Sequence, residues 1–450
     1  MSKIYIKTMG CKVNTHDSHI LETALAQKGH EITTNYQEAE VCLINTCSVT
    51  AKADNESRYL ARKFKRVSAT MKVAITGCYA QTDSDRLINM PEIDLVIPNQ
   101  DKNHLVEILD TRIQEKFPGA TPEDKLPEGR KAISKNRQGH FKTSLTLPKA
   151  DSNQTRSFLK IQDGCNGFCS YCLIPYARGQ SRSVSPEAVK QEVRRQINKG
   201  TKEIVFTGIH IGDYGKDETN ASKDPFAELL AELFSWKDMI RIRISSLEPG
   251  ELSSELLKVL AAHPEKFCPH FHFPLQAGSD RILRLMRRSY NKAEYREKVE
   301  KARRHFPEAF FGADVIPGFP QETDSDFRET LDFIKDLNLS EIHVFPYSKR
   351  PGTAAARFPG HLDNSVIKQR AKILRDLSGT LKQTFLRKNL QTTHEVLWEK
   401  QVLSDGRRAG RTRNYINVVS SLKEPPKENT VTTVSLVGFH SPTQLLGFNA

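Results

Sequence analysis

Long apolar runs are missing from this chain of 450 residues. Residues 1–7 lack the hydrophobic stretch of a secretory signal, and no later segment combines the length and the apolarity needed to cross a bilayer. We therefore expect no membrane partner and a cytoplasmic location. In that reducing compartment, the eight cysteines of the chain are better interpreted as metal ligands or catalytic thiols than as disulfides.

The chain has fewer acidic than basic residues. Lys and Arg together number 67 against 54 for Asp and Glu, which gives a formal net charge of +13. Such an excess favours polyanionic partners, with nucleic acid first among them, although solubility alone accounts for many basic proteins. With 38% hydrophobic and 27% charged residues, the composition is that of a folded globular protein, and the length predicts two or three domains.

The most informative motif is a cysteine triplet that lacks a fourth metal ligand nearby in sequence. Cys165, Cys169 and Cys172 are spaced C-x3-C-x2-C on one short segment, with no further Cys or His close by in sequence. A structural zinc site usually closes its tetrahedron with a fourth ligand nearby, so zinc is the weaker alternative. Three thiolates suit a four-iron four-sulfur cluster in which one iron remains free to bind another group.

The first hundred residues alternate strand-like and helix-like segments, which predicts an open parallel α/β sheet. Cys11, Cys47 and Cys78 each follow the carboxyl end of a predicted strand. Because the carboxyl ends of parallel strands share one edge, the three thiols are expected to converge there on a second cluster that also keeps an open iron. Cys42 and Cys268 lack this placement and are interpreted as structural. The strands are predicted at 4–8, 41–45, 73–76 and 94–97.

Residues 113–156 break the alternation and predict a linker, with one short strand near Phe141 as an option. The alternation resumes on a larger scale over 157–385, which is typical of a barrel of about six βα units. An amphipathic pattern predicts a helix over 364–391. The barrel strands are predicted at 203–207, 240–245, 271–273, 312–316 and 341–346.

Short alternating segments beyond residue 386 predict a small antiparallel β-barrel. Residues 411–420 are interpreted as one strand, whose period of two places Arg411, Arg413 and Tyr415 on the same face. A basic and aromatic face suits single-stranded or looped RNA, through phosphate contacts and base stacking. A solvated charged face is the alternative.

The spacing of the cysteine triplet resembles that of the radical S-adenosylmethionine enzymes. The resemblance implies that the free iron chelates the methionyl group of S-adenosylmethionine and that an electron from the cluster cleaves this cofactor to a 5′-deoxyadenosyl radical. It also implies that strand-end segments of the barrel contact the cofactor. The cofactor-binding residues implied in this way are Tyr171, Gly208, Ser246, Glu248, Arg288, Val315 and Gly318.

The segments 10–14, 45–47 and 77–78, followed by the triplet, resemble the methylthiotransferases, which replace a carbon–hydrogen bond with a methylthio group. Lys12 and Val13 resemble the subgroup that acts on N6-threonylcarbamoyladenosine beside the tRNA anticodon. The resemblance implies methylthiolation of carbon 2, two 4Fe–4S clusters, S-adenosyl-L-methionine as cofactor, the tRNA anticodon stem-loop as substrate, and a flavodoxin or ferredoxin type electron donor.

The domains implied by the resemblance follow the same divisions of the chain. They are a methylthiotransferase amino-terminal domain at 1–112, a linker at 113–156, a radical S-adenosylmethionine core at 157–385 and an RNA-binding domain similar to TRAM at 386–450.

Other substrates and another class of function remain open. Within the enzyme class, the substrate is alternatively isopentenyladenosine in tRNA or an aspartate of a ribosomal protein. The alternative of another class is a non-catalytic iron–sulfur protein that binds RNA or senses redox state. That alternative predicts that no 5′-deoxyadenosine forms from S-adenosylmethionine.

Overall fold

The computed structural model describes residues 1–117, 123–127, 155–216, 222–421 and 425–449. The predicted strand near Phe141 and most of the predicted linker lie outside these residues. Within the described part of the chain, no helix is long and apolar enough to span a bilayer.

The chain divides into two compact units, each built from several segments. Unit 1 consists of Met1–Ser152, Gln162–Arg182 and Ser348–Arg357. Unit 2 consists of Asn153–Ile161, Ser183–Tyr347 and Phe358–Ala450. The domain boundaries predicted from the sequence remain a prediction.

Unit 1 contains a five-stranded sheet in the order β2-β1-β3-β4-β5, and every pairing in it is parallel. The central strand β3 is buried along its whole length, as expected for a parallel strand covered on both faces. The predicted parallel sheet is confirmed. Its strands are β1 (Lys3–Thr8), β2 (Glu31–Thr33), β3 (Val41–Thr46), β4 (Lys72–Gly77) and β5 (Leu95–Pro98).

Helices cover both faces of this sheet. Leu43 of β3 packs in one apolar cluster with Leu21 and Leu105, whereas Cys42 packs on the opposite face with Phe64. Alternate residues of one strand therefore enter different cores, as the period of two requires. The helices of unit 1 are α1 (Lys12–Gln27), α2 (Ala51–Val67), α3 (Cys78–Thr82), α4 (Ser84–Ile88), α5 (Leu105–Gln114) and α6 (Ile174–Arg178). The two-residue strands β7 (Gln162–Asp163) and β8 (Arg182–Ser183) flank the triplet segment in sequence.

Unit 2 contains six parallel strands, in two three-stranded sheets ordered β10-β9-β6 and β11-β12-β13, and five of them correspond to the predicted strands. A parallel bridge between Ile242 and Phe267 joins β10 to the chain that leads into β11. The six strands are β6 (Arg156–Lys160), β9 (Glu203–Thr207), β10 (Arg241–Ile244), β11 (His270–His272), β12 (Phe310–Val315) and β13 (Glu341–Val344).

Several helices of unit 2 begin at well-formed caps. Ser185 accepts a hydrogen bond from the first turn of α7, and Asn291 and Glu294 form a capping box at the start of α11, which satisfies amide donors that the helix itself leaves unpaired. The helices of unit 2 are α7 (Pro186–Asn198), α8 (Pro225–Ser235), α9 (Ser254–Ala262), α10 (Asp280–Leu285), α11 (Lys292–His305), α12 (Asp324–Leu337) and α13 (Asn364–Lys388).

The carboxyl-terminal part of unit 2 is a closed five-stranded barrel in the order β14-β15-β16-β18-β17. Trp398 and Leu436 lie in its core together with Phe385 of α13. The predicted barrel is confirmed, and one of its pairings, β16 with β18, is parallel. Its strands are β14 (Thr393–Val402), β15 (Arg408–Thr412), β16 (Asn417–Ser420), β17 (Val431–Ser441) and β18 (Gln444–Asn449).

The prediction of one continuous strand over 411–420 is wrong. β15 ends at Thr412 and β16 begins at Asn417, and Tyr415 between them has a φ of 70°. The hydroxyl of Thr412 accepts a hydrogen bond from the backbone N–H of Ile416 at 2.9 Å and stabilises this turn. Because the backbone reverses here, the period of two does not place Arg411, Arg413 and Tyr415 on one strand face.

Candidate active site

Three cysteines meet at one edge of the sheet in unit 1. Cys11 lies directly before α1, Cys47 directly follows β3, and Cys78 opens α3 directly after β4. Burial, followed by the neighbouring Cys78 and Cys11 thiols, raises the pKa of Cys47 to about 12. Such a thiol stays protonated near neutral pH, so a metal must displace its proton on binding. The three cysteines thus follow the carboxyl ends of three neighbouring parallel strands, β1, β3 and β4, and their shared cluster remains a prediction.

Two glycines leave room beside these thiols. Gly10 has a φ of +91°, and a Cβ there would lie 2.8 Å from Sγ of Cys47. Gly77 has a φ of +94°, and a Cβ there would lie 2.5 Å from the carbonyl oxygen of Thr46. Only a residue without a side chain tolerates both the backbone conformation and the close approach. Three thiols set against a glycine-lined backbone fit a cluster of the 4Fe–4S type with three protein ligands.

The second triplet lies on a single segment of unit 1 between β7 and α6. Cys165, Cys169 and Cys172 are all partly exposed. The backbone N–H of Gly167 donates to Sγ of Cys165 at 3.3 Å, and that of Ile174 donates to Sγ of Cys172 at 3.4 Å. Hydrogen bonds to ligating sulfurs tune the reduction potential of iron–sulfur clusters. This triplet also fits a three-cysteine cluster.

A buried arginine connects the segments that carry the two triplets. The Nη1 atom of Arg178 donates to both carboxylate oxygens of Asp163, at 2.9 and 3.0 Å. Its Nη2 atom donates to Oδ1 of Asn14 and lies 3.4 Å from Oδ2 of Asp17. Asp163 lies two residues before Cys165, and both other partners lie on α1, which begins directly after Cys11. Sequence reasoning did not single out Arg178, because its partners lie far away along the chain.

The segment Ser348–Arg357 of unit 1 contacts both cysteine segments. Arg350 donates to Oγ of Ser48 at 2.8 Å and to Oδ2 of Asp54 at 2.6 Å. The backbone N–H of Ala355 donates to the carbonyl of Ser170 at 2.7 Å. This late segment of the chain therefore completes the surroundings of both triplets.

The residues expected to contact the cofactor occupy strand ends in unit 2. Gly208 directly follows β9, Ser246 and Glu248 follow β10, and Val315 is the last residue of β12. Gly318 has a φ of +80°, and its N–H donates to Oε2 of Glu322 at 2.7 Å. Arg288 forms an ion pair with the carboxylate of Glu248. Tyr171 lies in the triplet segment of unit 1. Their contacts with S-adenosylmethionine remain predictions.

Unit 2 also contains a polar group that sequence reasoning missed. Nε2 of His272 and Nδ1 of His343 lie 2.9 and 3.4 Å from Oδ1 of Asp314. The hydrogen bond to Asp314 is the main cause that raises the pKa of His343. Burial alone would raise the pKa of Asp314, but His272 and His343 hold it well below its usual range. The signal in the sequence is a histidine or aspartate within the last two residues of each of three neighbouring strands.

The residues expected to bind RNA pack against the central barrel within unit 2. Nη2 of Arg413 donates a hydrogen bond to the carbonyl of Phe267 at 2.6 Å. The ring of Tyr415 lies 4.1 Å from the ring of His270, and the Arg411 guanidinium lies 4.4 Å from the centre of the tyrosine ring. Contact of these three side chains with RNA remains a prediction.

Comparisons with known proteins agree with this architecture. The family model of the radical SAM superfamily matches residues 159–334, and that of the uncharacterized protein family UPF0004 matches residues 3–98. Among solved structures, the radical S-adenosylmethionine methyltransferase TsrM from Kitasatospora setae is similar with a TM-score of 0.57 and 16% identity, covering 79% of this chain and 77% of that one. Its likeness supports the fold. The protein is thus a radical S-adenosylmethionine enzyme.

Curated relatives show which family of radical S-adenosylmethionine enzymes this chain resembles. A threonylcarbamoyladenosine tRNA methylthiotransferase MtaB from Aquifex aeolicus is 37% identical over 92% of this chain and 96% of its own length. Its counterpart from Bacillus subtilis is 36% identical over 93% and 90%. A tRNA-2-methylthio-N(6)-dimethylallyladenosine synthase from Pelotomaculum thermopropionicum is 32% identical over 97% and 96%. The chain belongs to the radical S-adenosylmethionine methylthiotransferase family, whose cofactors are 4Fe–4S clusters and S-adenosyl-L-methionine.

Proposed function

We propose that this protein methylthiolates carbon 2 of N6-threonylcarbamoyladenosine beside the anticodon of tRNA. The observation that carries the proposal is the convergence of Cys11, Cys47 and Cys78 in the same compact unit as the C-x3-C-x2-C triplet. One three-cysteine cluster suffices to cleave S-adenosylmethionine, whereas sulfur insertion calls for a second sulfur-bearing centre. The relatives from Aquifex aeolicus and Bacillus subtilis, both named threonylcarbamoyladenosine tRNA methylthiotransferases, support the choice of base.

The six thiols have two roles in this proposal. Cys165, Cys169 and Cys172 hold the cluster that binds S-adenosylmethionine, and the three strand-end cysteines hold the auxiliary cluster. When bound, these cofactors supply radical cleavage, sulfur and the methyl group. The protein holds the thiolates in place, keeps backbone donors on the ligating sulfurs and leaves glycines where a side chain would collide. The predicted cofactor contacts of Tyr171 and of the strand-end residues in unit 2 are part of the proposal.

The His272–Asp314–His343 group is proposed to face the target base. Ligands of parallel barrels bind at the carboxyl ends of the strands, and all three residues lie there on neighbouring strands. Asp314 holds Nδ1 of His343 and thereby orients the ring, whose Nε2 is the second hydrogen-bonding atom. The target adenine must leave its base stack to reach any such group.

The partners follow from the same proposal. The formal net charge of +13 suits association with the anticodon stem-loop through phosphate contacts, with Arg411, Arg413 and Tyr415 among the proposed contacts. A flavodoxin or ferredoxin type protein is proposed as electron donor, and the cytoplasm as the location.

A second candidate substrate is isopentenyladenosine in tRNA. It is favoured by the relative from Pelotomaculum thermopropionicum, which is 32% identical over 97% of this chain. An assay on defined tRNAs decides between the two bases. The anaerobically reconstituted and reduced protein is incubated with S-adenosylmethionine and tRNA carrying either modified adenosine, and the nucleosides are analysed by mass spectrometry.

We expect 5′-deoxyadenosine together with the methylthio derivative of N6-threonylcarbamoyladenosine. Methylthiolation of isopentenyladenosine alone would transfer the activity to the second substrate. Cleavage of S-adenosylmethionine without a methylthio product on either tRNA would favour an aspartate of a ribosomal protein as the substrate. Absence of 5′-deoxyadenosine would support the non-catalytic alternative.

A further inference from the structure

One N–H group of Arg178 lacks an acceptor. The side chain is 2% exposed, and its Nη1 and Nη2 atoms are bound by Asp163, Asn14 and Asp17. The remaining donor, Nε, has no partner among the residues that the structure describes. A buried donor without an acceptor is unfavourable, and a group bound beside it can supply that acceptor.

The orphan donor lies among the segments that carry the auxiliary cysteines. Nδ2 of Asn99 donates to the carbonyl of Ala177, next to Arg178, at 2.8 Å and lies 3.8 Å from Sγ of Cys78. The helix α6, which ends with Arg178, also packs against α3, which begins with Cys78.

Asn14 extends the network to the other two cysteines. Its Oδ1 accepts from Arg178, while its Nδ2 donates to the carbonyls of Met9 and Thr46, both at 2.8 Å. Thr46 directly precedes Cys47, and Met9 lies two residues before Cys11. Through its own contacts and those of Asn14, Arg178 is therefore connected to the segments of all three auxiliary cysteines.

Arg178 is one of several cations in this region. Lys102 and Arg178 pair with the carboxylate of Asp17, and Arg178 and Arg182 pair with that of Asp163. A four-iron cluster held by thiolates is anionic and becomes more so on reduction, so a fixed positive charge beside it favours the reduced form.

We propose that Arg178 is a positioning residue of the auxiliary iron–sulfur site, where its Nε–H donates a hydrogen bond to a sulfur of the bound cluster and its charge stabilises the reduced state. The inference rests on the proposed second cluster and adds a residue that controls the electron affinity of that cluster. The cluster takes up one electron, which comes from the reductant, and no bond to the protein breaks.

The test uses the full chain with Cys165, Cys169 and Cys172 all replaced by Ala, so that only the auxiliary cluster is observed. Arg178→Gln removes the charge and the fork of donors, whereas Arg178→Lys keeps the charge alone. Arg182→Lys is the matched control, because Arg182 also lies near Asp163, at 3.5 Å. Each protein is reconstituted without oxygen, its iron is counted, and the cluster is titrated with dithionite and followed by electron paramagnetic resonance.

At the potential where the parent is half reduced, we expect the ratio of reduced to oxidised cluster to fall about tenfold in Arg178→Gln and about threefold in Arg178→Lys. The control should stay within about twofold of the parent, since its charge is kept and its hydrogen bonds go to the carbonyls of Arg178 and Gln180 rather than to a segment that carries an auxiliary cysteine. Loss of iron from Arg178→Gln, together with a lowered ratio in Arg178→Lys, also supports the proposal.

An iron-loaded Arg178→Gln protein with the parental ratio would overturn the proposal. Melting temperatures provide a second test. If each Arg178 variant lowers the melting temperature of the apo protein as much as that of the iron-loaded protein, Arg178 serves the fold alone and the proposal is overturned. A parent that binds no iron would instead refute the second cluster itself, which is a failure of the proposed function and is distinguished by the iron count.

Discussion

The two cysteine triplets of unit 1 are built in different ways. One is local, with three thiols on a single segment that are all partly exposed. The other is assembled from the ends of three strands, and two of its thiols, Cys47 and Cys78, are 8% and 4% exposed. One loop brings the three thiols of the local triplet together, whereas the thiols of the assembled triplet come together only when the sheet is formed. Damage to the fold should therefore affect the auxiliary site first.

The largest effects come from removing one ligand of each triplet. Cys169→Ala should abolish both cofactor cleavage and methylthiolation, by more than about a thousandfold, because both steps depend on the radical cluster. Cys47→Ala should keep formation of 5′-deoxyadenosine and lose the methylthio product. Both products are measured by mass spectrometry in one anaerobic assay.

Iron counting is the control for this pair. The parent should hold about eight iron atoms, and each variant about four. Methylthiolated tRNA from Cys47→Ala would contradict the assignment of the second cluster.

A smaller effect should follow from filling the space beside Cys47. Gly10→Ala places a Cβ 2.8 Å from Sγ of Cys47 and should reduce auxiliary iron several-fold while the radical cluster stays loaded. Gly29→Ala is the matched control, since Gly29 has a similar φ of +88° but no atom within 4 Å of the added Cβ. Backbone strain alone costs about 1 kcal/mol. Equal iron loss in both variants would show that strain rather than the collision is responsible.

Cys42 offers a thiol of the same sheet that should not hold iron. It is fully buried, and its Sγ lies 3.4 Å from Sδ of Met71. Cys42→Ala should lower the free energy of unfolding by about 1 kcal/mol through the small cavity it leaves, with unchanged iron content. Chemical denaturation of the apo protein gives the first quantity. A loss of iron would place Cys42 among the ligands after all.

The smallest effect concerns the strand-assembled group of unit 2. The Asp314 hydrogen bond raises the pKa of His343 above its ordinary 6.5, so the folded state binds this proton more tightly than the unfolded state. That stabilisation is full below pH 6.5 and is lost as the pH rises through the folded pKa. Because the His343 side chain is 53% exposed, the change should stay below about 1 kcal/mol.

Denaturation of the apo protein across this pH range, compared with His343→Gln, measures the effect. The variant should show a flatter pH dependence, with parent and variant converging at high pH. A parent that gains stability with rising pH relative to the variant would contradict the sign of the shift.

Much of the auxiliary site follows from local patterns. The predicted bounds of β1, β3 and β4 lie within one residue of those observed, because buried parallel strands form distinct apolar runs between turns. A cysteine after each strand then requires only the rule that parallel strand ends share an edge. The predicted bounds of β9 coincide with those observed.

Tertiary contacts decide what the patterns miss. Nothing near Arg178 in sequence distinguishes it from other basic residues, since its partners Asn14 and Asp163 come from separate elements. The turn at Tyr415 depends on the Thr412 hydroxyl rather than on a Gly or Pro. The parallel pairing of β16 with β18 joins segments that are not successive strands, so a hairpin pattern does not reveal it.

The pairing of Arg350 with Asp54 spans 296 residues of chain. On the ribosome, the surroundings of Cys47 therefore stay incomplete until most of the polypeptide has emerged. Contacts of such long range form late in folding. The same late segment also contacts the local triplet through the N–H of Ala355 and the carbonyl of Ser170, so cellular carriers that deliver preformed clusters should meet both sites complete only after synthesis of the barrel.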